Sequence, residues 1–298
     1  MAGFHDIIGH DDIIRHLKNA IETGKVSHSY IFTGEPGSGK KLLAGTFAAA
    51  LQCESGESEP CMTCDSCKKV IGKNHPDIIT VTHEKPGSIS IDEVRDQVVR
   101  DVDIKPYCSP YKIYIIPEAD LMSAQAQNAL LKTIEEPPEY AVIMLLTENA
   151  EALLPTIRSR CVMMKLRNIK DQLVKKYLME QMEIPDYKAD VCVAFAQGNM
   201  GKAIMLATSE YFNEIKEEVV HLLRNIDARF RGRKAFNWFE TTGVDGCISN
   251  RYHHKMRIWK FIPNGHEKDV SWEDDAFGKN TVRKNYTDIQ TQLYIQYR

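Results

Sequence analysis

Short apolar runs alternate with helix-type patterns along the first 166 residues. Strands are predicted over residues 29–33, 77–82, 112–116, 141–147 and 162–166, and helices over residues 5–27, 41–52, 91–102 and 124–136. Within the helices, apolar side chains recur every three or four positions, as Val94, Val98 and Val102 do. Strands that alternate with helices predict an α/β fold with a parallel, doubly wound sheet covered on both faces.

The pattern becomes purely helical after Leu166. Further helices are predicted over residues 169–181, 186–197, 202–206 and 210–225. We therefore expect three parts: an α/β domain over residues 1–166, a small helical region over residues 167–208, and a C-terminal region over residues 209–298.

The last 70 residues differ in composition from the rest of the chain. Residues 1–228 contain 17 leucines, whereas residues 229–298 contain one leucine and all three tryptophans. The formal charge of this tail is +5, against −8 for the residues before it. A helical bundle needs apolar faces that this tail does not offer. Two explanations stay open: a divergent tail, or a frame shift that leaves an out-of-frame translation after about residue 228.

Composition narrows the class of protein. With 298 residues, 43% of them apolar, the chain is long enough for two or three globular domains. A net charge of −3 argues against a bulk polyanion binder. Because the sequence has no run of ~18 apolar residues and no signal-peptide pattern, we expect no membrane contact and a reducing cytoplasmic setting.

A glycine-rich loop joins the first predicted strand to the next helix. The segment with Gly34, Gly37, Gly39 and Lys40 nearly matches the phosphate-loop pattern G-x-x-x-x-G-K-[ST], in which backbone amides surround the phosphates. Lys41 occupies the position whose hydroxyl would bind Mg²⁺. The pattern therefore favours descent from a phosphate loop, leaves ATP binding open, and argues against Mg²⁺-dependent hydrolysis.

A second magnesium ligand is missing after the strand over residues 112–116. ATPases with such loops place an aspartate there to hold Mg²⁺, and a glutamate next to it to prepare the attacking water. Pro117 takes the place of the aspartate and offers no side-chain oxygen. Glu118 follows, and without a positioned metal we interpret it as a solvent-exposed loop acid.

Four of the eight cysteines lie within 15 residues: Cys53, Cys61, Cys64 and Cys67. Their spacing, C-x₇-C-x₂-C-x₂-C, is typical of a closed tetrahedral Zn²⁺ site of the structural kind. The alternative is a set of unrelated free thiols. His75 is a conceivable ligand, although four thiolates already fill the shell. The other cysteines are expected to be packing residues: Cys108, Cys161, Cys192 and Cys247.

An arginine-containing segment over residues 154–161 lies between two predicted strands. An exposed arginine at a subunit edge can stabilise charge on a phosphate that the neighbouring subunit binds. From this segment alone, the interpretation is an ordinary surface arginine in a loop.

Several of these segments together resemble the bacterial clamp-loader family of AAA+ proteins. They are His28-Ser-Tyr, the four-cysteine insertion, His75-Pro-Asp77, NALLKTIEEPP over residues 128–138, and TIRSRC over residues 156–161. The resemblance covers about residues 4–226. It implies an AAA+ phosphate-loop domain with a zinc module inserted at residues 53–67, then a helical lid and a helical collar. The tail over residues 229–298 departs from that collar.

The resemblance also implies roles for particular residues. Ser159, Arg160 and Cys161 match the family's trans-acting segment, in which the arginine reaches the ATP of an adjacent motor subunit. Gly201 stands where the motor's lid carries a sensor arginine. Together with the two missing magnesium ligands, this resembles the delta-prime type, a non-hydrolysing member of the family.

That type implies gamma/tau motor subunits and a delta subunit as partners in a five-subunit ring. The ring loads a sliding clamp on primed DNA as part of the DNA polymerase III holoenzyme, so no intrinsic ATPase activity is expected. Two alternatives stay open. An active gamma/tau-like ATPase would hydrolyse ATP alone with Mg²⁺. A zinc-dependent nucleic-acid-binding module would bind DNA through the basic tail, with an affinity that falls steeply in salt.

Overall fold

A parallel five-stranded sheet lies at the centre of the part of the chain that the structure, a computed structural model, describes: residues 3–210, 212 and 214. Its strands are β1 (Ser29–Thr33), β2 (Ile78–Thr80), β3 (Lys112–Ile116), β4 (Ala141–Thr147) and β5 (Val162–Lys165). The strand order is β2-β3-β4-β1-β5, with every pair parallel. The predicted α/β class is confirmed.

Helices connect and follow these strands: α1 (Asp11–Glu22), α2 (Lys40–Leu51), α3 (Asp65–Ile71), α4 (Ile91–Val94), α5 (Ala124–Glu135), α6 (Pro155–Arg158), α7 (Asp171–Glu180), α8 (Asp186–Ala196) and α9 (Met200–Thr208). A π-helical turn, Arg95–Val99, extends α4, and 3₁₀ turns occur at Phe4–Asp6, Ala119–Leu121 and Ala150–Ala152. Among the described helices, none combines the length and apolar character that crossing a membrane requires.

Two predicted helices differ from the structure. The single helix expected over residues 5–27 is wrong, because Gly9 and His10 have φ of +75° and +60° and interrupt it before α1. Gly24, with φ of +63°, follows the end of α1. The short helix α3 was not predicted, since it lies inside the cysteine-containing segment, where no apolar stripe marks it.

Alternate residues of the strands pack on opposite faces of the sheet. Ile31, Tyr114 and Ile143 belong to a buried cluster that includes apolar side chains of α4 and α5. Tyr30 and Phe32 belong to a second cluster, with apolar side chains of α1 and α2. Each fully buried side chain of this size contributes about 1.5–3 kcal/mol through the hydrophobic effect. The sheet is therefore covered on both faces, as the sequence predicted.

The carboxyl ends of the central strands carry the candidate chemistry. The phosphate loop follows β1, Pro117 follows β3, and Thr147 ends β4. Since β1 lies between β4 and β5, the chain passes to both sides of it, which is the place where open α/β sheets bind ligands.

Helices α7 to α9 follow β5 and match the helices predicted over residues 169–181, 186–197 and 202–206. Most of the helix predicted over residues 210–225 lies outside the described residues. The same holds for every expectation about residues 229–298, including Cys247.

Candidate functional site

The phosphate loop has the backbone shape that its glycines predict. Gly37 and Gly39 have φ of +78° and +98°, a region that glycine adopts without steric cost. Gly39 is followed directly by α2, whose first residue is Lys40. The sequence-predicted residues of this site are thus brought together in one strand–loop–helix unit.

Lys40 turns back on its own loop. Its Nζ donates hydrogen bonds to the carbonyl oxygens of Gly34, at 2.5 Å, and Glu35, at 3.0 Å. Burial lowers the pKa of Lys40, although the nearby carboxylates of Glu148 and Asp120 act in the opposite direction. In this structure the ammonium group that would reach outer phosphates is engaged by loop carbonyls.

The N-terminus of α9 is fastened to the phosphate loop by Asn199, which is 2% exposed. Asn199 Nδ2 donates to the Pro36 carbonyl at 2.8 Å, and its Oδ1 accepts from the Lys202 amide at 3.0 Å. Lys202 Nζ also lies 3.2 Å from a Glu35 carboxylate oxygen. Sequence reasoning missed Asn199, although asparagine before a helix is a common N-cap residue.

Gly201 meets the loop backbone directly. Its amide donates to the Gly37 carbonyl at 2.9 Å. A Cβ built on Gly201 would lie 2.6 Å from Gly37 Cα and 2.7 Å from Gly37 O. This contact leaves no room for any side chain at the position where a motor's sensor arginine is expected.

The strand end after β3 holds Pro117 and Glu118 side by side. Glu118 adopts a left-handed backbone with φ of +52°. Its carboxylate lies 3.4 Å from His83 Nε2, and its side chain is 46% exposed. Asp120 accepts a hydrogen bond from the Glu148 amide at 3.2 Å. Glu118 is therefore partly exposed, as predicted, but lies beside a histidine that sequence reasoning did not connect to it.

The four clustered cysteines converge. Sγ atoms of Cys53, Cys61, Cys64 and Cys67 all lie within 4.8 Å of one another. A tetrahedral zinc site with Zn–S bonds of about 2.3 Å needs sulfur atoms about 3.8 Å apart, so the four thiols fit Zn²⁺ with small adjustments. Three backbone amides of the cluster also point at its sulfurs, at 3.3–3.4 Å.

The thiols differ in acidity. Hydrogen bonds from Thr63 and from the Cys64 amide lower the pKa of Cys61 to about 6, whereas burial raises the pKa of Cys67 above its usual range. A coordinating thiol is ionised by the metal it binds. The set therefore fits a structural Zn²⁺ that would hold this segment together.

His75 lies outside this cluster. Its Nε2 is 3.2 Å from both Ser66 Oγ and Ser109 Oγ, and its Nδ1 accepts from the Asp77 amide. Its ring is thus engaged in bridging the cysteine-containing segment to the sheet. Cys108 corrects an expectation, because it is exposed rather than packed and its thiol donates to the Asp77 carboxylate.

The remaining described cysteines lie nearer the core. Cys192 is fully buried, and burial raises the pKa of the half-buried Cys161 to about 12. Both fit packing roles.

Arg160 lies between α6 and β5 with a side chain that is 41% exposed. Its guanidinium donates to the Thr156 carbonyl at 3.1 Å and lies 3.0 Å from a Glu135 carboxylate oxygen. Arg158 is less exposed, at 27%, and pairs with Glu151. Of these two arginines, Arg160 therefore offers the more accessible guanidinium.

Helix α5 supports this segment from below. Gln127, 4% exposed, accepts from the Leu154 amide at 2.8 Å and donates to the Ala152 carbonyl at 3.2 Å. The turn that leads into α6 is thereby fixed to α5, and the position of Arg160 follows from it.

Comparisons with known proteins agree with this arrangement. The family described as "DNA polymerase III, delta subunit" matches residues 9–170. The tau subunit of DNA polymerase III from Bacillus subtilis is 35% identical over 210 residues, covering 68% of this chain and 37% of that protein. The delta-prime subunit from the same organism is 33% identical over 218 residues, covering 73% of this chain and 65% of that protein.

Among solved structures, a DNA polymerase III gamma subunit-related protein from Thermotoga maritima is similar with a TM-score of 0.47 and 22% identity, covering 80% of this chain and 73% of that one. The chain spans between about a third and two thirds of the two curated relatives above. Their identities of 35% and 33% do not separate the tau from the delta-prime type. Since the family match extends over more than half of the residues, the chain belongs to the DNA polymerase III delta subunit family.

Proposed function

We propose that this chain is a non-hydrolysing, delta-prime-type subunit of the bacterial DNA polymerase III clamp loader. In this proposal it joins gamma/tau motor subunits and a delta subunit in a five-subunit cytoplasmic ring that loads the sliding clamp on primed DNA. Arg160 acts in trans at the ATP of the adjacent motor subunit. Cys53, Cys61, Cys64 and Cys67 hold a structural zinc ion.

The state of the chain's own phosphate loop carries the proposal. Lys41 and Pro117 replace two magnesium ligands, and Lys40 is bonded to the carbonyls of Gly34 and Glu35. Gly201 offers no sensor side chain, because the Gly37 backbone fills the space. Each change removes a different requirement of Mg²⁺-dependent hydrolysis.

The second candidate is an active gamma/tau-like ATPase, which the 35% identity to a tau subunit favours. ATP hydrolysis by the purified full chain with Mg²⁺ separates the two. A delta-prime-type chain gives no turnover above that of its Lys40→Ala variant, and it co-purifies with the motor subunits. Turnover that Lys40→Ala abolishes would establish the motor type instead.

A further inference from the structure

Arg160 is held by a carboxylate from a different helix. Glu135 is the last residue of α5, and one of its carboxylate oxygens lies 3.0 Å from Arg160 Nη2. The two side chains are similarly exposed, at 43% and 41%. The contact therefore lies at the surface, where a neighbouring subunit has access to the guanidinium.

The remaining contacts of Arg160 come from its own turn. Arg160 Nη1 donates to the Thr156 carbonyl at 3.1 Å and lies 3.4 Å from Ser159 Oγ. An arginine has five N–H donors, and the contacts above engage three of them. At least two donors are left to bind a phosphate while the guanidinium keeps its position.

The end of α5 is also a favourable place for a cation. The last carbonyl groups of a helix carry partial negative charge, which adds to that of the carboxylate. A free arginine side chain samples many rotamers, and ordering it at the moment of reaction slows the step that it assists. A side chain that is already ordered avoids this loss.

From these contacts we infer that Glu135 is a positioning residue for Arg160, which orders the guanidinium before it meets the neighbouring subunit's ATP. The inference rests on the proposed function. Glu135 contacts neither ATP nor the reacting atoms, and it acts only through Arg160.

The test uses the full chain mixed with gamma/tau motor subunits, delta subunit, sliding clamp and primed DNA. The Arg160-dependent rate is the difference between the ATPase rates of wild-type and Arg160→Ala rings. We expect Glu135→Ala to lower this rate about fivefold, as a fraction of the roughly thirtyfold that ordering an entire arginine side chain costs. The KM for ATP should change less than about twofold, since ATP binding is left intact.

Two controls make the result specific to the pair. Glu136→Ala removes the neighbouring carboxylate, which makes no ion pair with Arg160 among the described contacts, and should leave the rate unchanged. In an Arg160→Ala background, Glu135→Ala should have no further effect, because a positioning residue acts only through its partner. Glu135→Gln, which keeps the shape and an acceptor oxygen, should recover part of the rate and serves if Glu135→Ala does not fold.

A wild-type rate with both Glu135 variants would overturn the inference, as would an equal loss in the Arg160→Ala background. An Arg160→Ala ring that hydrolyses ATP as fast as wild type would instead overturn the proposed function, and the role of Glu135 with it. The two failures are thus distinguishable in one assay.

Discussion

Replacing Asn199 by alanine removes the buried amide that fastens α9 to the phosphate loop. Loss of its N-cap hydrogen bond to the Lys202 amide costs about 1 kcal/mol. Loss of the hydrogen bond to the Pro36 carbonyl costs about 1 kcal/mol more, because water can reach this exposed turn and replace the donor in part. Together the free energy of unfolding should fall by about 2 kcal/mol.

Urea denaturation of the full chain, followed by circular dichroism, measures this change. With an m-value of about 2.5 kcal/mol/M, the midpoint should fall by about 0.8 M. The matched control is Asn168→Ala, which removes one exposed hydrogen bond to the Gln197 carbonyl and should cost less than about 0.5 kcal/mol. Equal shifts for the two variants, or an unchanged midpoint for Asn199→Ala, would refute the reasoning.

Three further outcomes are expected. Gly201→Arg, which restores the motor's residue, should lower the free energy of unfolding by about 2 kcal/mol or more and yield no ATPase activity, because its Cβ meets the Gly37 backbone; restored turnover would contradict this. Metal analysis should find one zinc per chain, and Cys64→Ser should lose it and lower the Tm by about 10 °C or more, whereas Cys108→Ser should keep it. Although burial alone would raise the pKa of Asp77, two backbone amides and the Cys108 thiol lower it. Its ionised form therefore stabilises the fold above its unfolded pKa of about 3.9, and this stability is lost as the pH falls through the lower folded value; urea midpoints of wild type and Asp77→Asn should converge below about pH 4.

The sequence predicted the sheet because each strand is a short, continuous apolar run, which is what burial on both faces requires. The phosphate loop and the cysteine cluster were predictable because their residues lie close together in the chain. The break before α1 was not, since it depends on positive φ at His10, a residue type for which that backbone is uncommon.

Contacts between distant segments were the least predictable. Asn199 and Pro36 are 163 residues apart, and Glu135 and Arg160 meet only because α5 packs beside α6. No local pattern records such pairs. The resemblance assigned Gly201 a lost arginine, and the structure adds the physical reason, which is a backbone contact that excludes every side chain.

The central claim is that the chain's own nucleotide site is inert while its arginine serves a neighbour. The most direct measurement compares the DNA-stimulated ATPase of rings that contain Lys40→Ala with that of rings that contain Arg160→Ala. Arginine fingers contribute about 10³–10⁵-fold in rate at the site they reach. The account predicts that Lys40→Ala leaves turnover at the wild-type level and that Arg160→Ala removes the neighbouring site's share of it. Loss of turnover with Lys40→Ala and none with Arg160→Ala would contradict it.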